Sequence, residues 1–77
     1  MTTEEKVTSV VAAVLDIAAK DVTDGMARGH VAGWDSLQHM ELVVALEHAF
    51  DLKLSFDDII KMDDVASIKR LMKAKAG

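Results

Sequence analysis

Asp35, Ser36 and His39 stand within five residues of one another in GWDSLQHMELVVALEHAF (residues 33–50), and these are the residue types of a hydrolytic triad. Their spacing argues against that use. His39 rotates toward the core side of a helix that starts here, no G-x-S-x-G elbow surrounds Ser36, and nothing supplies an oxyanion hole. His30, His39 and His48 lack metal-ligand spacing, and each reads as a loop, boundary or surface residue. Asp24-Gly25 is not a calcium loop, because Lys20 and Val22 occupy positions that need oxygen ligands. The chain has no cysteine, which excludes thiolate chemistry, a disulfide framework and a thiolate metal site. No catalytic and no metal-ligating residue is expected.

What remains is Ser36 itself. With Asp35 as N-cap, Ser36 takes the first helical position, where unpaired backbone N–H groups and the helix dipole favour a negative substituent. A hydroxyl there suits a phosphate ester. It also suits a plain helix-start residue that shares the cap with Asp35, and spacing alone favours this plainer reading.

The elements that must position Ser36 follow from capping and periodicity. Thr2 with Glu5 forms a capping box before Val7, Val10, Val11 and Val14, which predicts a helix from about Thr3 to Leu15. Between Ala18 and Trp34 the periodicity fails, and Gly25, Gly29 and Gly33 mark a connection long enough to be functional or mobile. Val22 and Met26 are its candidate anchors to the core. Asp35, with Gln38 placed to return the capping hydrogen bond, starts a second helix that ends near Phe50. Ser55 with Asp58 caps a short third helix through Ile59 and Ile60. Asp63 and Asp64 then start a fourth, which presents Val65, Ile68, Leu71 and Met72. The expected fold is all-α: one domain over residues 1–77, a small four-helix bundle with a long first loop and a short third helix.

At 77 residues only about 60% of the unfolded chain's surface is buried on folding, too little to enclose a catalytic cavity. A composition of 51% hydrophobic and 29% charged residues is nevertheless that of a folding chain, not a disordered one. No apolar stretch approaches the roughly 20 residues of a membrane span, so a soluble, cytoplasmic protein is expected. Residues 35–64 hold eight acids against Lys53 and Lys61, and this net −6 segment points to basic protein partners and away from nucleic acid. The last thirteen residues hold Lys69, Arg70, Lys73 and Lys75 with no acid, which suits a helix C-terminus.

At 100° per residue, Leu42, Val43, Leu46 and Phe50 form a core stripe on the second helix. Leu37, Met40 and Val44, with Glu41 and His48, fall on the opposite side. A thin bundle cannot bury both. The second face reads as a docking surface of apolar anchors rimmed by carboxylates, or as ordinary exposed residues or a face covered by the long loop.

Residues 33–50 resemble the signature of acyl carrier proteins. The D-S-L of Asp35, Ser36 and Leu37, the E-L-V-x-A-L-E run from Glu41 to Glu47, Phe50, the long first loop and the short third helix all fall in the family's order, over nearly the whole chain. The resemblance implies 4′-phosphopantetheine attached covalently to Ser36, flanked by Asp35 and Leu37, with an acyl cargo held as a thioester on its terminal thiol. It implies that Leu37, Met40, Glu41, Val44 and Glu47 dock partners. Those would be a phosphopantetheinyl transferase, and acyl-transferring, acyl-ligating or ketosynthase-type enzymes of fatty acid or polyketide-type biosynthesis. A monomeric carrier, not an enzyme, is expected. In many family members the acyl chain slips between the helices. This sequence departs from the fatty-acid-synthesis pattern at Gln38, His39, His48 and Ala49, where acids are common, while Trp34 looks more like stand-alone carriers of specialised pathways. An aminoacyl or peptidyl carrier using the same serine is the alternative within the class; a non-covalent helical adaptor is the alternative outside it.

Overall fold

The structure is a computed structural model and describes residues 2–76. Its elements are α1 (Thr3–Leu15), a 3-10 turn (Ala19–Asp21), α2 (Ser36–Phe50), α3 (Phe56–Lys61) and α4 (Val65–Ala76). The all-α expectation is met. Among the described residues there is no strand, only an isolated bridge between Ala27 and Asp64.

Local chemistry explains each boundary. The Thr2 hydroxyl accepts from Glu5 N–H at 3.1 Å, and the Glu5 carboxylate accepts from Thr2 N–H at 3.0 Å, so α1 starts with a reciprocal box. Ser55 and Asp58 repeat the arrangement at α3, at 3.1 and 2.9 Å. Both α1 and α2 end on an aspartate in the left-handed region, Asp16 at φ 57° and Asp51 at φ 52°. Each ending is closed by a wide backbone turn, from Ile17 N–H to Ala12 C=O and from Leu52 N–H to Glu47 C=O.

α1 lies against both α2 and α4. Val7 and Val11 from α1, Leu42, Val43 and Leu46 from α2, and Val65, Ile68 and Met72 from α4 make the core, with Trp34, Leu54 and Met62 supplied by the connections. Val22 and Met26 pack against this core as anchors of the first loop, as does Val31. Backbone pairing ties that loop down further. Met26 and Asp24 carbonyls accept from Val65 and Ala66 N–H at 3.0 and 3.1 Å, and Asp64 Oδ1 accepts from Ser67 N–H at 2.7 Å. The orphan donors of the first turn of α4 are therefore satisfied largely by the loop. Arg28 N–H to Asp63 C=O and the Lys69–Asp24 ion pair, at 2.9 and 2.6 Å, close the same seam.

α3 is attached differently. Its one buried residue is Asp58, with Ile59 packed against the core, and polar contacts fix its N-terminal side. Glu47 Oε2 accepts from Leu54 N–H at 2.9 Å just before α3, and Lys75 Nζ lies 2.8 Å from Asp58 Oδ2. The Lys75 ammonium, followed by the Ser55 backbone N–H, pulls the Asp58 carboxyl from its ordinary 3.8 down to about 2. Between those values the unfolded chain takes up the proton before the folded one does. The stabilisation is therefore complete above pH 3.8 and lost as pH falls toward 2. Thermal unfolding followed by circular dichroism should show Asp58→Asn less stable than the parent at neutral pH, with a shallower loss of midpoint between pH 4 and pH 2.

Candidate functional site

Asp35 holds an extended backbone (φ −99°, ψ −171°) and its Oδ1 accepts from Gln38 N–H at 2.9 Å, while its carbonyl accepts from His39 N–H at 2.9 Å. This fixes the first turn of α2 and places Ser36 at its first position, exposed to solvent. The cap runs one way only. Spacing places Gln38 to reach back to Asp35 N–H, but its Oε1 is sealed from solvent with no hydrogen-bond partner among the described residues, which nothing in the structure explains. Ser36 and Leu37 N–H find no acceptor among the described residues. The contrast with α4, whose first donors are covered by loop carbonyls, leaves the electropositive end of α2 open beside an accessible hydroxyl. That combination fits a phosphodiester on Ser36 without rearrangement of the turn.

Behind the turn lies a buried polar link. Gly33, at φ 87°, turns the chain in a conformation that suits glycine and delivers Trp34 into the interior. Gly29 N–H bonds back to the Trp34 carbonyl at 3.1 Å. Trp34 Nε1–H donates to His39 Nδ1 at 3.1 Å, with the ring centroids 6.2 Å apart and nearly parallel, and the other ring nitrogen, Nε2, lies 3.2 Å from the Ile59 carbonyl. Both side chains are 1% exposed. The expectation that His39 is a loop, boundary or surface residue is thus corrected. It is a core residue, and it can be one because an indole donor and a carbonyl acceptor satisfy both ring nitrogens. Since Nδ1 accepts, Nε2 carries the proton and the imidazole is neutral; burial pulls its pKa below 6.5, partly opposed by the Ile59 carbonyl. The signal was present in the sequence: residues 39, 42, 43, 46 and 50 share one helical stripe.

The outer face of α2 is as the periodicity predicts. Leu37, Met40 and Val44 are 67%, 50% and 50% exposed, and Glu41 is exposed beside them. Met40, Glu41, Val44 and Ala45 line a shallow depression of about 380 Å³. Glu47 is half-buried and its Oε2 is occupied by Leu54 N–H, so this carboxylate organises the α2–α3 connection whatever else it meets. On the other side, Phe50 is half-buried, with the Lys6 ammonium 4.8 Å from its ring centre. Sequence reasoning passed over Phe56, which takes the first position of α3 as Ser36 does of α2. Phe56 is 75% exposed, and Ile60 follows it four residues on, also exposed. The cap at Ser55 was the signal for both.

Replacing His39 by leucine leaves the Trp34 indole N–H and the Ile59 carbonyl facing an alkyl group, each at a cost of about 1–3 kcal/mol. Urea unfolding should register that loss, and Ser36→Ala, at an exposed site, should change stability by less than about 0.5 kcal/mol. The pH dependence carries a sign as well. With its folded pKa depressed, the His39 contribution is complete above pH 6.5 and lost as pH falls through the folded value, so the parent should weaken below pH 6.5 along a slope that His39→Leu lacks.

Comparison with known proteins agrees with this geometry. A family model described as the phosphopantetheine attachment site matches residues 5–72, a span that includes Ser36 and both faces of α2. The chain is also 27% identical over 75 residues to the acyl carrier protein of Syntrophus aciditrophicus (strain SB), an alignment covering 97% of this chain and 94% of that protein. The matched family is defined by covalent attachment of 4′-phosphopantetheine, and its members carry rather than catalyse. With its open helix end, exposed serine and near-complete match, the chain belongs to the phosphopantetheine attachment family.

Proposed function

We propose that Ser36 is the attachment residue and that residues 1–77 act as one acyl carrier domain, monomeric and cytoplasmic, delivering cargo to enzymes of fatty acid or polyketide-type biosynthesis. The observation that carries this reading is the solvent-facing Ser36 at the first position of α2, next to N–H groups that no other part of the described chain covers. When bound, 4′-phosphopantetheine supplies a flexible arm whose terminal thiol accepts an acyl group as a thioester. Everything else falls to the chain's own residues. Asp35 pins the turn, the uncovered N–H groups of Ser36 and Leu37 would hold the phosphate of an arm on Ser36, and Leu37, Met40, Glu41 and Val44 offer apolar contact with a carboxylate rim. Glu47 contributes chiefly by holding the start of α3, with any contact to partners made by what its bond to Leu54 leaves free.

Such a surface is small. Its physics favours fast, charge-steered association and short residence, as a protein that hands its cargo from one enzyme to the next requires. Tethering then raises the local concentration of cargo at whichever active site α2 has docked on. The partners are a phosphopantetheinyl transferase, and acyl-transferring, acyl-ligating or ketosynthase-type enzymes. Trp34 before the aspartate, together with a recognition helix that lacks acids at His48 and Ala49, favours a specialised pathway.

Incubation with coenzyme A, magnesium and a broad-specificity phosphopantetheinyl transferase should add one phosphopantetheine to the intact mass, and Ser36→Ala should abolish the addition. No addition to the parent refutes the reading. Met40→Lys and Glu41→Lys should lower kcat/KM for loading enzymes about tenfold, equivalent to about 1.4 kcal/mol, while the unfolding midpoint stays within the scatter of surface substitutions. A ligase panel then decides the cargo: charging with amino acids alone would make the protein an aminoacyl carrier instead.

A further inference from the structure

Two buried side chains flank the attachment serine in sequence, Trp34 two residues before it and His39 three residues after it, and they are bonded to each other. An apolar cargo tethered at Ser36 has two places to go: into the bundle or along its outside. We propose that the Trp34–His39 pair closes the bundle interior to whatever Ser36 carries, so that the cargo is a short or polar acyl group presented to solvent rather than a long alkyl chain taken inside. This rests on Ser36 being the attachment residue.

Three observations support closure. First, the space is filled. Trp34, His39, Leu42, Leu46 and Met62 are each essentially inaccessible. Second, the Trp34–His39 pair within it is polar and has both ring nitrogens of His39 and the indole N–H satisfied. A methylene chain entering here parts the indole N–H from Nδ1 and Nε2–H from the Ile59 carbonyl and offers no hydrogen bond in return. Orphaning these groups offsets the gain from burying several methylenes, a penalty that an aliphatic lining would not impose. Third, the pair joins three segments: the loop that leads into Ser36, α2, and α3 through Ile59. Any opening that parts one of these segments from the other two therefore breaks the link. An apolar alternative lies outside, in the groove of Met40, Val44 and Ala45 that continues down α2 from the Ser36 turn. A purely aliphatic interior at the same positions would carry no such penalty, which makes Trp34 and His39 the residues that set cargo class.

The test has two arms on the full chain. In the unloaded protein, the Trp34 indole N–H should exchange with deuterium only through global unfolding, protected about a thousandfold or more over a free indole; fast exchange from the native state overturns closure. In the second arm, octanoyl-coenzyme A and a transferase load the protein, with loading verified by intact mass. Methyl resonances of Leu46 and Met62, the Trp34 indole resonance and the thermal midpoint should match those of the protein carrying phosphopantetheine alone. Shifted core resonances with a raised midpoint overturn the proposal. His39→Ala, or Trp34→Phe should that variant fail to fold, should gain both responses on octanoyl loading. A folded variant as unresponsive as the parent overturns the assignment of closure to this pair. Absence of any octanoyl adduct counts against Ser36 as the attachment residue, and the exchange arm still decides whether the pair is closed.

Discussion

On the buried imidazole of His39 the loop before Ser36, α2 and α3 converge. A neutral imidazole donates at one nitrogen and accepts at the other, so it can join a donor from one segment to an acceptor from another, which an aliphatic side chain at the same position cannot do. Its low-dielectric surroundings strengthen both bonds and make the loss of either costly. The Ser36 turn therefore rests on a junction that packing alone would leave free to slide. The consequence reaches the surface. A hydroxyl that a separate enzyme must find is held at a fixed place on a rigid helix end.

Helix ends are treated unequally in this molecule, and the inequality has functional meaning. The start of α4 is covered by the Met26 and Asp24 carbonyls and by Asp64, so its positive end is spent on holding the long loop in place. The start of α2 is capped by Asp35 alone and leaves two donors to solvent. Among the described residues α1 and α3 also leave their first two donors uncovered, but their first turns carry Glu4 and Glu5, and Asp57 and Asp58, whereas the first turn of α2 carries no acid and presents the exposed serine. The long loop is accordingly no slack connection. It is the capping partner of one helix and the source of Trp34 for another.

α3 shows how a small chain economises on apolar surface. A bundle of this length has too little hydrophobic area to fasten six helical residues by packing on every side, and Phe56 and Ile60 face outward. Polar contacts take over: Glu47 to Leu54, Lys75 to Asp58, His39 to Ile59. Glu47 illustrates the overlap between architecture and recognition, since a carboxylate near the docking face is also the tie that sets where α3 begins.

Much of this was legible from residue order. Reciprocal caps at Thr2 and Ser55 and the cap at Asp35 placed the helix starts; 100° spacing separated the core stripe of α2 from Leu37, Met40 and Val44; and the D-S-L with its following run pointed to the matched family. These features depend on contacts within four residues, so spacing alone reports them. The pairing of Trp34 with His39, the neutral state of that histidine, the loop carbonyls that cap α4 and the engagement of Glu47 came only with the tertiary structure. Each depends on which distant group arrives opposite a given donor or acceptor: Ile59 is twenty residues from His39, and Val65 is thirty-nine from Met26. Local sequence determines that a side chain faces inward, but whether it is satisfied there depends on the packing of the remaining segments, because a buried hydrogen bond requires a partner at about 3 Å and not merely a favourable face.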